Sequence, residues 1–81
     1  VNIYVGNLSP RTSESHIREA FARFGKVGKI SMAAETSVTN SFGYCFVEMP
    51  FAYQATVAIR ELNGKLLGEN PLNISESELS A

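Results

Sequence analysis

Residues 42–49, Phe42-Gly43-Tyr44-Cys45-Phe46-Val47-Glu48-Met49, decide the architecture. The stretch alternates, and in an extended chain successive side chains point to opposite faces. Cys45, Val47 and Met49 therefore share one face, and Phe42, Tyr44, Phe46 and Glu48 share the other. The first set is what a core takes. The second set puts aromatic rings on the face opposite that core.

Working outward, Asn2-Ile3-Tyr4-Val5-Gly6-Asn7-Leu8 is a second alternating run rich in β-branched and aromatic residues, ended by Ser9-Pro10. Ser13 is a suitable helix N-cap. Ile17, Ala20, Phe21 and Phe24 then recur at helical spacing, and Gly25 supplies the stop. Val27, Ile30 and Met32 mark another strand, followed by a polar loop over 35–41. Beyond Pro50, a start signal, Ala55, Ala58, Ile59 and Leu62 form a second apolar stripe that Asn63-Gly64 ends. Leu66 and Leu67 read as part of a connection closed by Gly68 and Pro71. Leu72-Asn73-Ile74-Ser75 reads as a short last strand.

The order is βαββαβ, an α+β, ferredoxin-like sandwich with a four-stranded antiparallel sheet and two helices on one face. The 81 residues, 44% hydrophobic, suffice for one core and not for two. The expected domain is 1–76, with 77–81 a flexible tail and the polar end loosening from Ser75 onward.

A solvent-facing sheet ordinarily carries polar groups. Here Tyr4 points opposite to Ile3 and Val5, which groups it with Tyr44 and Phe46, and in this topology the first and third strands are central neighbours. Cross-strand packing is the plain structural use of such rings, contributing a fraction of a kcal/mol per pair. Unstacked nucleic-acid bases offer a larger one, about 1–3 kcal/mol per base stacked.

At this point the residues resemble the RNA recognition motif family. Its hexapeptide is similar to Ile3-Tyr4-Val5-Gly6-Asn7-Leu8. Its octapeptide, basic-Gly-aromatic-small-aromatic-Val-x-Phe, is similar to Phe42 through Met49. The two motifs, their separation and the helix ending in Leu62-Asn63-Gly64 cover nearly the whole chain, which as a whole looks most like the short stand-alone members found in bacteria. The resemblance implies single-stranded RNA as ligand, with single-stranded DNA as a second ligand. It implies that Tyr4 and Tyr44 stack on bases and that Phe46 packs between sugars or on a base. Phe42 shares their parity and reads equally as a fourth ring or as packing under the loop. Lys29, Asn2, Asn73 and Ser75 complete the expected RNA-binding set.

The chain departs from the family pattern in charge. Phe42 stands where a phosphate-pairing Lys or Arg is usual, the 35–41 loop has no basic residue, and Asn73, Ser75, Glu76 and Glu78 occupy the last strand and tail. Lys29 is the cation expected on the ring face, beside an opposing Glu48, with Arg11 and Lys26 reaching in from loops. Seven Lys and Arg against eight acidic residues exclude binding driven by bulk charge, so weak binding with a shallow salt dependence is expected.

Other function classes find little support. Cys45 is the sole cysteine and His16 the sole histidine, which excludes an internal disulfide, a cysteine zinc cage and a two-histidine metal site. Cys45 reads as a small buried residue and His16 as a surface helix residue. There is no paired-carboxylate spacing and no Gly-rich phosphate loop, so neither an enzyme nor a cofactor is expected. No apolar stretch is long enough to span a bilayer or serve as a secretory signal, and a cytoplasmic protein is the default expectation. Tyr53 and Val57 fall opposite the core stripe of the second helix. They read as scattered surface residues or as a site of protein contact or self-association.

Overall fold

Each helix has an apolar stripe that cannot stay in water, and one sheet face has a matching set of apolar side chains. The computed structural model shows these surfaces joined; it describes residues 1–9, 12–33, 43–67 and 70–77. The elements run β1 (Asn2–Leu8), α1 (Glu14–Ala22), β2 (Ile30–Ala33), β3 (Gly43–Glu48), α2 (Ala52–Leu62), β4 (Leu66–Leu67), β5 (Asn70–Pro71) and β6 (Asn73–Ser77). The main sheet is antiparallel with strand order β2-β3-β1-β6, which makes β1 and β3 the central pair. Ile3, Val5, Leu8, Ile30, Cys45, Val47, Met49 and Ile74 of the sheet side are buried with Ile17 and Phe21 of α1, Ala55 and Ala58 of α2, and Leu72.

The helix ends follow local chemistry. Ser13 is the N-cap of α1, its Oγ accepting from the His16 N–H at 3.4 Å, while the Ser13 N–H donates to His16 Nδ1 at 3.2 Å. The reciprocal pair is a capping box with histidine in the position usually held by Glu or Gln, a role for His16 beyond the expected surface placement. The α2 N-cap is Phe51, without a side-chain cap, so Pro50 stands before the cap rather than in the first turn. At the far end Gly64 adopts φ 86°, a left-handed conformation that glycine takes at little cost, and Asn63 Oδ1 accepts from the Ile74 N–H at 2.9 Å. That bond ties the end of α2 to β6.

Several expectations need correction. Strict alternation fails inside β1, because Asn7 has φ 64° and the β1/β3 register shifts between Val5 and Leu8. The extra residue returns Leu8 to the core. Val27 lies before β2, and Met32, which shares its parity with buried Ile30, is 42% exposed. Leu66 and Leu67 are not simple connection but one arm of a hairpin with Asn70 and Pro71. The last strand begins at Asn73, leaving Leu72 as a buried residue outside it, and runs through Ser77, so Ser75, Glu76 and Ser77 are paired with β1 rather than loose. Phe42, Arg11, Glu78 and the 35–41 loop lie outside the described residues.

Candidate nucleic-acid interface

With both helices on one face, the opposite face of the sheet carries Tyr4, Tyr44 and Phe46. Tyr4 and Phe46 are direct cross-strand partners. Ring centroids lie 6.0 Å apart for Tyr4 and Tyr44, 5.9 Å for Tyr4 and Phe46, and 6.0 Å for Tyr44 and Phe46. The three rings form a nearly equilateral triangle, tilted or edge-to-face, and all are half-buried. Such pairs contribute about 0.5–1.5 kcal/mol each, which holds the cluster in place before any ligand arrives.

Register locates the polar neighbours. Cross-strand partners point to the same side, so Ser31, Phe46, Tyr4 and Ser75 make one row across the sheet. Asn2 lies between Glu48 and Ser77 in the row to one side, and Asn73 faces Gly6 in the row to the other. The Glu48 N–H donates to the Lys29 carbonyl at 2.8 Å, placing Lys29 beside Glu48 just ahead of β2. The expected residues Tyr4, Tyr44, Phe46, Asn2, Asn73 and Ser75 thus fall on one face, with Lys29 at its edge. Phe42 cannot be placed among them, since it is not a described residue.

Charge around the rings is sparse. Lys29 and Glu48 are exposed and make no ion pair with each other; the ion pair found among the described residues joins Arg18 to Glu14 at 3.7 Å. Arg18 also donates to the Gly28 carbonyl at 3.2 Å. The Lys26 N–H donates to Gln54 Oε1 of α2 at 2.9 Å, which holds the Lys26 backbone in the helix layer. Glu76 pairs with Ile3 and so alternates away from the rings, unlike Asn73 and Ser75 of the same strand. Cys45 is fully buried, and burial, helped by the negative charge of Glu14, pushes its thiol up from 9.0 to about 12. Among the described residues there is no group of three His, Cys, Asp or Glu side chains that could hold a metal ion.

Glycine shapes the platform. Tyr4 lies along its strand over Gly6, where a Cβ would stand 2.8 Å from Tyr4 Cε2 and Cζ. This was not evident from alternation, which identifies faces and not the direction of a ring.

Comparison with known proteins settles the lineage of this arrangement. The family model for the RNA recognition motif (RRM) matches residues 3–73. The chain belongs to the RNA recognition motif family. It is 37% identical over 71 residues to the cytotoxic granule-associated RNA binding protein tiar-1 of Caenorhabditis elegans, covering 88% of this chain and 17% of that protein. It is 40% identical over 67 residues to nuclear cap-binding protein subunit 2 of Xenopus tropicalis, covering 83% of this chain and 44% of the relative. The chain therefore spans less than half the length of either. Among solved structures, the first two RRM domains of yeast poly(U) binding protein superpose with TM-score 0.88 at 27% identity, over 100% of this chain and 48% of that one. The Rna15 RRM with bound RNA (GU) gives TM-score 0.81 at 28% identity, over 99% and 85%. Both relatives are eukaryotic, so the expected likeness to short bacterial members has no support from them.

Proposed function

We propose that this RRM binds single-stranded RNA by stacking bases on Tyr4, Tyr44 and Phe46. The observation that carries the reading is the triangle of rings about 6 Å on a side, on the sheet face the helices leave open. Further support comes from an RRM of closely similar fold solved with RNA bound and from a relative named as an RNA binding protein. Lys29, Asn2, Asn73 and Ser75 are assigned contacts with phosphate, sugar or base edges around the rings. Bases of single-stranded DNA present the same π-faces, and DNA is proposed as a weaker ligand. The chain is read as a binding module and not an enzyme. A cytoplasmic location is proposed with it, and cell fractionation tests that part.

The direct experiment is a titration of the labelled domain with short random RNA, followed by amide shifts. Movement on β1 and β3 is expected; none at millimolar RNA overturns the proposal. A second reading, a protein contact through α2, is favoured by Tyr53, which is 71% exposed. Val57 is half-buried, so of the expected pair Tyr53 is the one that stands out from the surface. Sedimentation of the native chain and of a Tyr53→Ser, Val57→Ser variant tests it; a monomer at all concentrations removes self-association.

A further inference from the structure

The row beside the rings has a composition that stacking does not explain. Asn2 and Glu48 are cross-strand partners at the centre of the sheet, two residues along their strands from Tyr4 and Phe46 and on the same face. Glu48 is exposed and its carboxylate has no hydrogen-bond or ion-pair partner among the described residues, nor has the Asn2 amide or the Lys29 ammonium. The carboxylate lies over Gly28: a Cβ there would stand 3.0 Å from Glu48 Oε1, so the missing side chain leaves it room. A negative group held beside the rings on a polyanion's binding face is unfavourable for phosphate contacts. It must therefore be judged by what it can accept.

We propose that Glu48 makes this face selective for guanine, as an acceptor for the N1–H and N2–H groups of a base stacked on Phe46 or Tyr4. The inference rests on the RNA-binding reading above. Residues two apart on a strand are separated by about 7 Å, so a stacked base reaches from the ring to the neighbouring row. An ionised carboxylate only accepts hydrogen bonds and has two oxygens to offer. Guanine alone among the four bases presents two adjacent N–H donors on its Watson–Crick edge. Adenine and cytosine present one amino donor beside a ring-nitrogen acceptor, and uracil one N–H between two carbonyl oxygens. In those three cases a lone pair faces the second carboxylate oxygen. The O6 of guanine, next to its donors, accepts from the Asn2 amide or from Lys29, which flank Glu48 on either side. Single-stranded bases have this edge free to be read.

The test measures binding of oligouridine and of the same oligomer with one central guanosine, adenosine, cytidine or inosine. Guanosine is expected to tighten binding about tenfold over uridine, the size of one good bidentate base contact. Inosine, which lacks the 2-amino group, loses most of that gain. Glu48→Ala is expected to bring the guanosine and uridine oligomers together, with oligouridine bound as well as before or better. Glu48→Gln, which offers one donor and one acceptor, raises adenosine and cytidine relative to guanosine. Glu48 is exposed and its hydrogen bonds among the described residues, to Gly28 and Lys29, run through the backbone, so an unchanged amide spectrum is expected for both variants. Equal binding of the guanosine and uridine oligomers by the native chain, or a guanosine preference that survives Glu48→Ala, overturns the role of Glu48 and leaves RNA binding standing. Failure of the folded native chain to bind any oligomer overturns both.

Discussion

Tyr4 rests over Gly6, and the phenol ring occupies the space that any side chain at position 6 would need. The two residues share a face of β1, two apart, and the ring is directed along the strand instead of standing up from it. Gly6→Val is expected to turn the Tyr4 ring out of the triangle it forms with Tyr44 and Phe46. Loss of one stacking position amounts to about 1–3 kcal/mol of RNA affinity. Calorimetric titration with a short RNA, alongside Tyr4→Ala, checks this. Gly6→Val binding RNA like the native chain would mean that ring direction is immaterial.

Stacking without a basic surround has a signature in salt. Among the described residues Lys29 is the cation placed at the edge of the ring face, and Arg18 is engaged with Glu14 and the Gly28 carbonyl. Each phosphate neutralised on a single strand adds about 0.7 to the slope of log affinity against log salt. A slope shallower than about three is therefore expected. A steeper one, measured by anisotropy across a salt series, would show phosphate contacts carrying the binding.

Legibility in the sequence followed physical range. Alternation over 42–49 and 2–5 and the helical stripes report a two-sided environment, so the sheet, the helices and the face carrying Tyr4, Tyr44 and Phe46 could be read from pattern. Asn7 could not: nothing in Asn2-Ile3-Tyr4-Val5-Gly6-Asn7-Leu8 announces a bulge, which arises because Leu8 reaches the core only if one residue is spent in a left-handed turn. The β4/β5 hairpin was likewise hidden, its strands being too short to alternate. The face of Glu76 follows from parity with Ser75, but only once the strand is known to extend through Ser77.

Asn7 offers a measurement of that bulge. Left-handed backbone costs an ordinary residue about 1–2 kcal/mol, and asparagine less. Its Nδ2 also donates to the Pro71 carbonyl at 2.8 Å, tying β1 to the hairpin. Asn7→Ala loses both effects and is expected to destabilise the fold by about 2 kcal/mol. Asn7→Gly restores the backbone freedom and loses only the hydrogen bond, about 1 kcal/mol. Urea denaturation of the two variants checks the order; glycine costing as much as alanine would remove the backbone explanation.

Cys45 links the core to alkaline pH. In the folded chain its thiol is pushed up from 9.0 to about 12, chiefly by burial and secondarily by Glu14. Above pH 9 the unfolded chain releases this proton while the folded chain keeps it, so the unfolded state binds fewer protons and stability falls as pH rises. The contribution is whole below pH 9 and is lost on the way to the folded value near 12. From about pH 8 to about pH 10 the loss is ~1.4 kcal/mol. Cys45→Ala lacks this group, so the stability difference between native chain and variant should shrink by that amount over the interval, whatever other groups titrate in both. The thiolate being the nucleophile, Cys45 should also resist a disulfide reagent at neutral pH until the chain is unfolded. Rapid modification of the folded protein, or a stability difference flat across the interval, would place the thiol in contact with water.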